Sequence, residues 1–435
     1  MKQLVTLIVC GLINSTALAA PEIQRFDTRN DVRVLFIQTD ALPIVDIEVV
    51  FDAGSVRDTM QPFNQPGLAL MTNALLTSGA GKLDADAIAE TIDDLGARLG
   101  ASANRDSASI SLRSLNQRKT LNQAVDLLTI IITQPRFKET DFQREKNRLL
   151  VSLQAKQQRP GTLASDLFYQ TLYADHPYGT LPEGNTESIT AIQQTDLKKF
   201  YDQYYVAANA MIAIVGDISP RNARQLANTI AAKLPAGTAA AAIPEVEALD
   251  DSIQEQIVTE TNQTHIRLGQ TGIQRGADDY FNLYVGNHIL GGGGFSARLM
   301  QEIRENRGLS YGVSSYFIPL RQPGPFLMAM STRSDQAQQA IDILRAELAR
   351  FVEQGPTAEE LADAKANLTG GFPLRIDSNS ELIGYLGMIG FYGLPLDYLE
   401  TFTQKLDAIT VESIQAAFRR QMNPDKLLQV TVGQD

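Results

Sequence analysis

The side chains best suited to metal binding and nucleophilic catalysis are scarce in this 435-residue sequence. The histidines are His176, His265 and His288, and Cys10 is the single cysteine. Histidine and cysteine supply most zinc ligands, and one thiol cannot form an intramolecular disulfide. We predict structural roles for the three histidines, with His176 capping a turn. A stand-alone hydrolase is disfavoured because the sequence has neither a catalytic cysteine nor a Gly-x-Ser-x-Gly motif.

A run of glycines at residues 291–294 invites comparison with nucleotide-binding loops. Gly292, Gly294 and Ala297 fit a loose Gly-x-Gly-x-x-Ala fingerprint. That fingerprint must follow a β-strand, whereas the pattern of residues 277–290 is typical of a helix. No Gly-Lys-Ser/Thr follows to form a phosphate loop. The sequence therefore does not predict nucleotide binding.

Residues 67–79 predict an amphipathic helix. Apolar residues and one threonine recur at positions 68, 71, 72, 75 and 76, which form one buried stripe, and Gly79 is placed to end the helix. The neighbouring face carries Leu70, Asn73 and Ala74. The flanking segments indicate which function this face could have.

These segments resemble the pitrilysin/insulinase family of zinc peptidases. In that family an Ala-Gly-Ser stretch, present here at residues 53–55, precedes a helix beginning Gly-Leu-Ala, present at residues 67–69. The family's inverted zinc motif, His-x-x-Glu-His, and its further Glu ligand would then occupy Leu70, Asn73, Ala74 and, at or near it, Ser152. Leu and Ala have no donor atom, and Asn and Ser alone do not hold zinc. The resemblance thus implies a degenerate site and no metal in this chain.

Residues 291–317 resemble the second conserved site of the same family. There an Arg and a Tyr seven residues apart reach toward the substrate on the zinc, and Arg304 and Tyr311 have that spacing. A guanidinium and a phenol can both donate hydrogen bonds to a peptide carbonyl or to an oxyanion. The alternative is an amphipathic helix with a solvated Arg304 and a Tyr311 that fills the start of a strand. Arg307 is a nearby candidate with poorer spacing.

The resemblance to two-chain bacterial members implies a function. This chain would be the non-catalytic subunit of a heterodimeric periplasmic zinc metallopeptidase, with Arg304 and Tyr311 acting in trans as the catalytic pair. The implied partners are a zinc-bearing paralogous subunit and peptide substrates, and the strands at residues 312–318 and 326–332 are expected to bind peptide by strand addition. A second hypothesis is a peptide-binding or purely structural scaffold subunit without a catalytic role.

Residues 1–19 predict a secretory signal peptide, with Lys2 before a short apolar stretch and cleavage near Ala19. A lipoprotein site at Cys10 is the alternative. We therefore expect export to a bacterial periplasm. No later stretch is long and apolar enough to predict a membrane span. The net charge is −12, with 38 Lys+Arg against 50 Asp+Glu and no basic run, so nucleic acid is not an expected partner.

An internal repeat predicts the fold. Residues 189–217 and 408–435 share the order helix, turn and apolar strand, so that Phe200 matches Phe418 and Val215 matches Val432. The Ala- and Pro-rich residues 233–248 read as a linker between an N-terminal domain (20–232) and a C-terminal domain (249–435).

Each half mixes alternating strands with longer helices. The strands are exemplified by Val45–Phe51 and Ser107–Arg113, and the helices by Leu121–Ile132 and Ala337–Phe351. Short turns between neighbouring strands favour antiparallel pairing. We therefore predict an α+β protein of two homologous domains, each a mainly antiparallel sheet with helices packed on one face, which together form a half-clamshell.

Overall fold

The computed structural model describes residues 20–434. The predicted signal peptide and Cys10 lie outside the described residues. Within them, the chain forms two mixed sheets, one in each half, and each sheet carries a layer of helices. None of the helices in this part of the chain is long and apolar enough to cross a membrane.

The N-terminal half is built on a six-stranded sheet with the strand order β1-β2-β8-β3-β7-β6. A short hairpin, β4–β5, stands apart from it. The strands are β1 (Gln24–Asp27), β2 (Arg33–Gln38), β3 (Ile44–Phe51), β4 (Gly79–Ala80), β5 (Leu83–Asp84), β6 (Arg98–Ala103), β7 (Ala108–Leu115) and β8 (Ala210–Gly216). The helices are α1 (Leu68–Leu75), α2 (Ala85–Asp94), α3 (Arg118–Thr133), α4 (Glu139–Lys156), α5 (Pro160–Tyr173), α6 (Thr186–Ala191), α7 (Gln194–Tyr204) and α8 (Pro220–Ala231).

The C-terminal half has a five-stranded sheet with the order β11-β12-β10-β13-β9. Its strands are β9 (Ile253–Val258), β10 (Gln263–Thr271), β11 (Val313–Phe317), β12 (Pro325–Arg333) and β13 (Leu428–Gly433). Its helices are α9 (Tyr280–Asn287), α10 (Arg298–Met300), α11 (Ala337–Gln354), α12 (Ala358–Gly371), α13 (Asn379–Tyr392), α14 (Tyr398–Asp407) and α15 (Val411–Gln421). Two π-helical turns, His288–Gly292 and Gln301–Glu305, directly continue α9 and α10.

The two sheets share one five-strand topology, to which β1 adds an edge strand in the N-terminal half. In each, one parallel pair (β2 with β8, β9 with β13) adjoins an antiparallel series (β8-β3-β7-β6 and β13-β10-β12-β11). Val215 lies in β8 and Val432 in the equivalent strand β13, as the repeat predicts. The predicted class of two homologous, mainly antiparallel α+β domains is confirmed.

The two halves exchange one helix each, which the sequence did not predict. Helix α5 of the N-terminal half packs on β10 and β13 of the other sheet, where Phe168 is fully buried. Helix α13 of the C-terminal half packs on β2, β3 and β8, and Gly390 lies against Met211. Each sheet is therefore covered on its second face by a helix from the other half.

Local sequence signals mark the ends of the two exchanged helices. Pro160 occupies the first turn of α5, where its missing N–H is not needed. The Ser378 side chain accepts from the Glu381 N–H and so caps α13, which ends at Gly393 in the left-handed region with φ 68°. Polar contacts fix their positions, since Arg33 donates to the Gly390 carbonyl (2.8 Å) and Arg267 to that of Gly161 (2.9 Å).

The predicted linker, residues 233–248, is largely irregular and tied to both halves. The Asn209 amide oxygen accepts from the Ala240 N–H (2.7 Å), and the buried Arg57 donates to the Ala241 carbonyl (2.6 Å). From the other half, Gln322 donates to the Ile243 carbonyl (3.2 Å). Residues 233–248 are therefore hydrogen-bonded to both halves of the chain.

Candidate functional site

The first candidate site is the face of α1 where the resemblance places the zinc motif. Asn73 is 2% exposed, and its amide donates to the Tyr205 hydroxyl (3.2 Å) and to the Ser109 carbonyl (3.4 Å). Leu70 and Ala74 are half-buried beside it, while Ser152 is exposed on α4. Asn73, the polar side chain of this face, thus forms hydrogen bonds inside the domain.

A buried carboxylate holds the beginning of α1 in place. Asp58 accepts hydrogen bonds from the backbone N–H groups of Gly67 (2.8 Å) and Ala69 (2.7 Å), which the first turn of a helix cannot satisfy internally. Burial raises the pKa of Asp58, and these two hydrogen bonds oppose that rise. Asp58 therefore positions the helix without facing a ligand.

The residues at the motif do not fit zinc. Leu70 and Ala74 offer no lone pair, and the Asn73 amide is already committed to Tyr205 and Ser109. Among residues 20–434, no group of three or more His, Cys, Asp or Glu side chains is arranged to hold a metal ion. No chemical step in this chain is therefore assigned to a metal of its own.

The three histidines lie apart and take structural positions. His176 precedes the turn Pro177–Gly179, where its Nδ1 accepts from the Tyr178 N–H (3.1 Å) and its Nε2 donates to the Pro244 carbonyl (3.0 Å). His265 lies on β10 against α5, and His288 begins a π-helical turn. Burial lowers the pKa of all three, which favours the neutral form of each ring.

The second candidate site is the turn that joins α10 to β11. Arg304 lies in the π-helical turn Gln301–Glu305, a type of helical insertion often found at functional sites. Its guanidinium carbon is 4.7 Å from the centre of the Phe295 ring, and that ring is 71% exposed. Tyr311, just before β11, is 93% exposed. Both members of the predicted pair thus lie in the connection from α10 to β11, where Arg304 is half-buried and Tyr311 is exposed.

The neighbouring arginine is bound differently. Arg307 pairs with the Glu302 carboxylate and donates to the Glu302 carbonyl (2.9 Å). Among residues 20–434, the one ion pair of Arg304 is a long contact with Glu305, 3.6 Å between Nε and Oε1. Arg304 is therefore the freer of the two guanidinium groups.

The expectation of strand addition is wrong for residues 326–332 and stays a prediction for residues 312–318. β12 lies inside the sheet, between β11 and β10. β11 is an edge strand, but Asn287 donates to the Ser315 carbonyl (2.9 Å) and the Val313 N–H contacts the Met300 sulfur (3.4 Å). Gly291 approaches the Ser315 backbone so closely that a side chain there would clash. Asn287, Met300 and Gly291 therefore occupy part of this edge, which also borders a cavity of about 520 Å³.

Another edge strand lies in the N-terminal half, and the sequence analysis missed it. β6 is the last strand of its sheet, pairs with β7 and packs beside α1. Most of its residues are small, and Ala101 and Ser102 are exposed. The alternation of this segment is weak, so it gave little strand signal.

Comparison with known proteins identifies the family of this chain. Residues 33–182 match the insulinase family of peptidases, M16, and residues 191–368 match the peptidase M16 inactive domain. A solved structure, the peptidase M16 inactive domain from Pseudomonas fluorescens, is 38% identical with a TM-score of 0.91, over 95% of this chain and 98% of that one. The chain belongs to peptidase family M16.

Curated M16 relatives cover nearly the whole chain. A non-peptidase homolog, YmxG, from Helicobacter pylori is 25% identical over 95% of this chain and 94% of its own length. An uncharacterized zinc protease, YmxG, from Bacillus subtilis is 24% identical over 93% of this chain and 97% of its own. These matches identify this chain as an inactive M16 member.

Proposed function

We propose that this chain is the non-catalytic subunit of a heterodimeric zinc metallopeptidase and contributes Arg304 and Tyr311 to a peptide held at the partner's zinc. One observation carries the proposal: Tyr311 is 93% exposed on the same turn as Arg304. An aromatic side chain so exposed contributes little to its own fold. Its exposure therefore supports a role toward another molecule.

The pair would act by donating hydrogen bonds. Zinc in the partner would activate a water molecule, whose oxygen attacks the scissile carbonyl carbon. Negative charge then develops on the carbonyl oxygen, and the guanidinium of Arg304 and the hydroxyl of Tyr311 are the groups proposed to donate to it. The Phe295 ring supports the guanidinium from one side and does not consume its N–H donors.

The proposed compartment is a bacterial periplasm, on the strength of the signal-like residues 1–19. The proposed partner is a paralogue that keeps the inverted zinc motif and lacks the Arg/Tyr pair. A gene for such a paralogue beside that of this chain would support the pairing.

The test is peptide hydrolysis by the purified chain, by the paralogue and by their mixture, with zinc measured in each. We expect an inert chain and an active mixture, in which Arg304→Ala lowers kcat/KM by about 10²–10³-fold at unchanged Tm. Arg307→Ala is the matched control, because its guanidinium pairs with Glu302, and it should keep most of the activity. A mixture no faster than the paralogue alone, or a parallel loss of Tm, contradicts the proposal.

A peptide-binding or scaffold subunit is the second candidate, and the free edge of β6 favours it. A peptide could extend this sheet without any help from Arg304 or Tyr311. The double variant Arg304→Ala/Tyr311→Phe separates the two functions, because a scaffold would still stimulate the paralogue fully. Ala101→Pro on β6 would then lower peptide binding, since proline removes a donor and projects its ring.

A further inference from the structure

A cavity of about 510 Å³ lies in the helical layer of the C-terminal half, away from both candidate sites. It is bordered by the beginning of α9, the connection from α13 to α14, the end of α14 and the beginning of α15. This volume is within the range of small-molecule sites. Nothing in the proposed subunit function uses it.

Its lining is apolar and aromatic. Phe281 is 5.2 Å from the Tyr280 ring and 6.0 Å from the Tyr398 ring, between ring centres. Leu394 and Ile409 complete the apolar surface. These groups would remove a hydrophobic ligand surface from water, which favours binding.

Two cationic side chains reach this lining without an acidic partner. Arg275 lies 5.9 Å from the centre of the Tyr280 ring and 5.6 Å from that of Tyr392, and its Nε is buried without an acceptor. Lys405 lies 5.4 Å from the centre of the Phe281 ring. Within residues 20–434, neither cation forms an ion pair or a side-chain hydrogen bond.

A neutral side chain of the cavity lining, Asn282, can also donate hydrogen bonds. The Asn282 side-chain oxygen accepts from the Ser413 hydroxyl (2.7 Å), which orients the amide and leaves its NH₂ group available. The acidic side chain that borders the cavity is Asp278, which is exposed to solvent. The cavity therefore offers hydrogen-bond donors and positive charge, although the chain as a whole carries a net charge of −12.

We propose that this cavity binds an apolar carboxylate, with the hydrophobic body on Phe281 and the carboxylate paired with Arg275. A planar guanidinium matches a carboxylate bidentately. A phosphate alone would leave the aromatic surface unused, and a cation would be repelled. Two sources share this chemistry: a free hydrophobic acid, and the carboxyl terminus of a peptide that ends in an apolar residue.

The test is calorimetric or NMR titration of the purified chain at low salt. The probes are 3-phenylpropanoate, its amide 3-phenylpropanamide, and the dipeptide N-acetyl-Ala-Phe as the free acid and as the amide. We expect each acid to bind at least tenfold more tightly than its amide. Arg275→Gln should remove that preference, whereas Lys198→Gln, an exposed surface control, should leave it unchanged.

The outcomes are distinct. Equal affinity for acid and amide, no binding of either acid at 10 mM (about −2.7 kcal/mol), or an Arg275→Gln variant that binds acids normally overturns the proposal. A dipeptide acid that binds tenfold more tightly than 3-phenylpropanoate identifies a chain terminus as the ligand, and the reverse identifies a free acid. Because no partner subunit is present, these results do not depend on the proposed peptidase role.

Discussion

The Tyr392 hydroxyl of α13 donates a hydrogen bond of 2.8 Å to Asp106, a residue 286 positions earlier in the chain. Asp106 is fully buried and also accepts from the Tyr178 hydroxyl (2.6 Å) and from the Arg321 N–H (2.8 Å). One carboxylate therefore connects both halves. Burial, reinforced by Asp106, raises the pKa of both tyrosines, so their hydroxyls remain donors.

Tyr392→Phe should lower the free energy of unfolding by about 1.5–3 kcal/mol, the usual contribution of a hydrogen bond to a charged group. Urea denaturation of the purified chain measures it. Tyr311→Phe is the matched control, because its exposed hydroxyl should change stability by less than about 0.5 kcal/mol. Equal stability of wild type and Tyr392→Phe would show that the Tyr392–Asp106 hydrogen bond does not stabilise the fold.

Asn73→Leu should destabilise the protein by about 1–3 kcal/mol, because it leaves the buried Tyr205 hydroxyl without its partner. Asn73→Leu made in the Tyr205→Phe variant should lower the free energy of unfolding less, since both polar groups of the pair are then removed. A double-mutant cycle measured by chemical denaturation gives the coupling. Additive costs would mean that Asn73 contributes through Ser109 or through packing alone.

Phe295→Leu should release the Arg304 guanidinium, at a cost of about 0.5–1 kcal/mol for an exposed cation–π contact. The signal to follow is the Arg304 Nε–H resonance in the isolated chain, which the facing ring shields. It should move toward the random-coil position in Phe295→Leu and stay in Phe295→Tyr. In an active complex, only the leucine variant should lower kcat. An unmoved resonance in Phe295→Leu would exclude the contact.

Glu48 on β3 should make stability depend on pH. It is partly buried where α13 crosses the sheet near Gly387, and burial raises its pKa above the ordinary value of 4.5, against a hydrogen bond from Ser109. A raised folded-state pKa means that the native protein holds the proton longer. The contribution of Glu48 is therefore full below about pH 4.5 and is lost as pH rises through the folded-state value.

The measurement is the free energy of unfolding of wild type and Glu48→Gln from pH 4.5 to 8. Wild type should lose stability relative to the variant as pH rises. Glu22→Gln, at a position without such burial, should track wild type throughout. A constant difference between wild type and Glu48→Gln would rule out titration of Glu48 as the cause.

Local patterns predicted the elements well. The stripe at positions 68, 71, 72, 75 and 76 gave α1, which is shorter than expected because it tightens into a 3₁₀ turn over Leu76–Ser78. Alternation predicted Val45–Phe51 within β3 and Ser107–Arg113 within one residue of the start of β7. These signals depend on neighbours in sequence, so no tertiary knowledge was needed.

Contacts between distant segments could not be predicted. No local pattern of Asn287 or Gly291 shows that they contact the edge strand at Ser315. Likewise, the sequence alone presents Asn73 as a degenerate metal-ligand position. Only the fold shows that its amide donates a hydrogen bond to Tyr205. The free edge of β6 was missed because its small, polar residues resemble a loop.

The helix exchange suggests a history for the fold. Helix α5 begins at Pro160 and α13 at Asn379, 219 residues later, close to the 217–218 residue spacing of the repeat, which suggests that the two helices are copies of one ancestral helix. A single ancestral half would have had an uncovered sheet face and a helix with nothing to cover. Two copies would satisfy both by swapping that helix across a two-fold axis. Fusion of the two genes would then have fixed a symmetric, swapped dimer as one polypeptide.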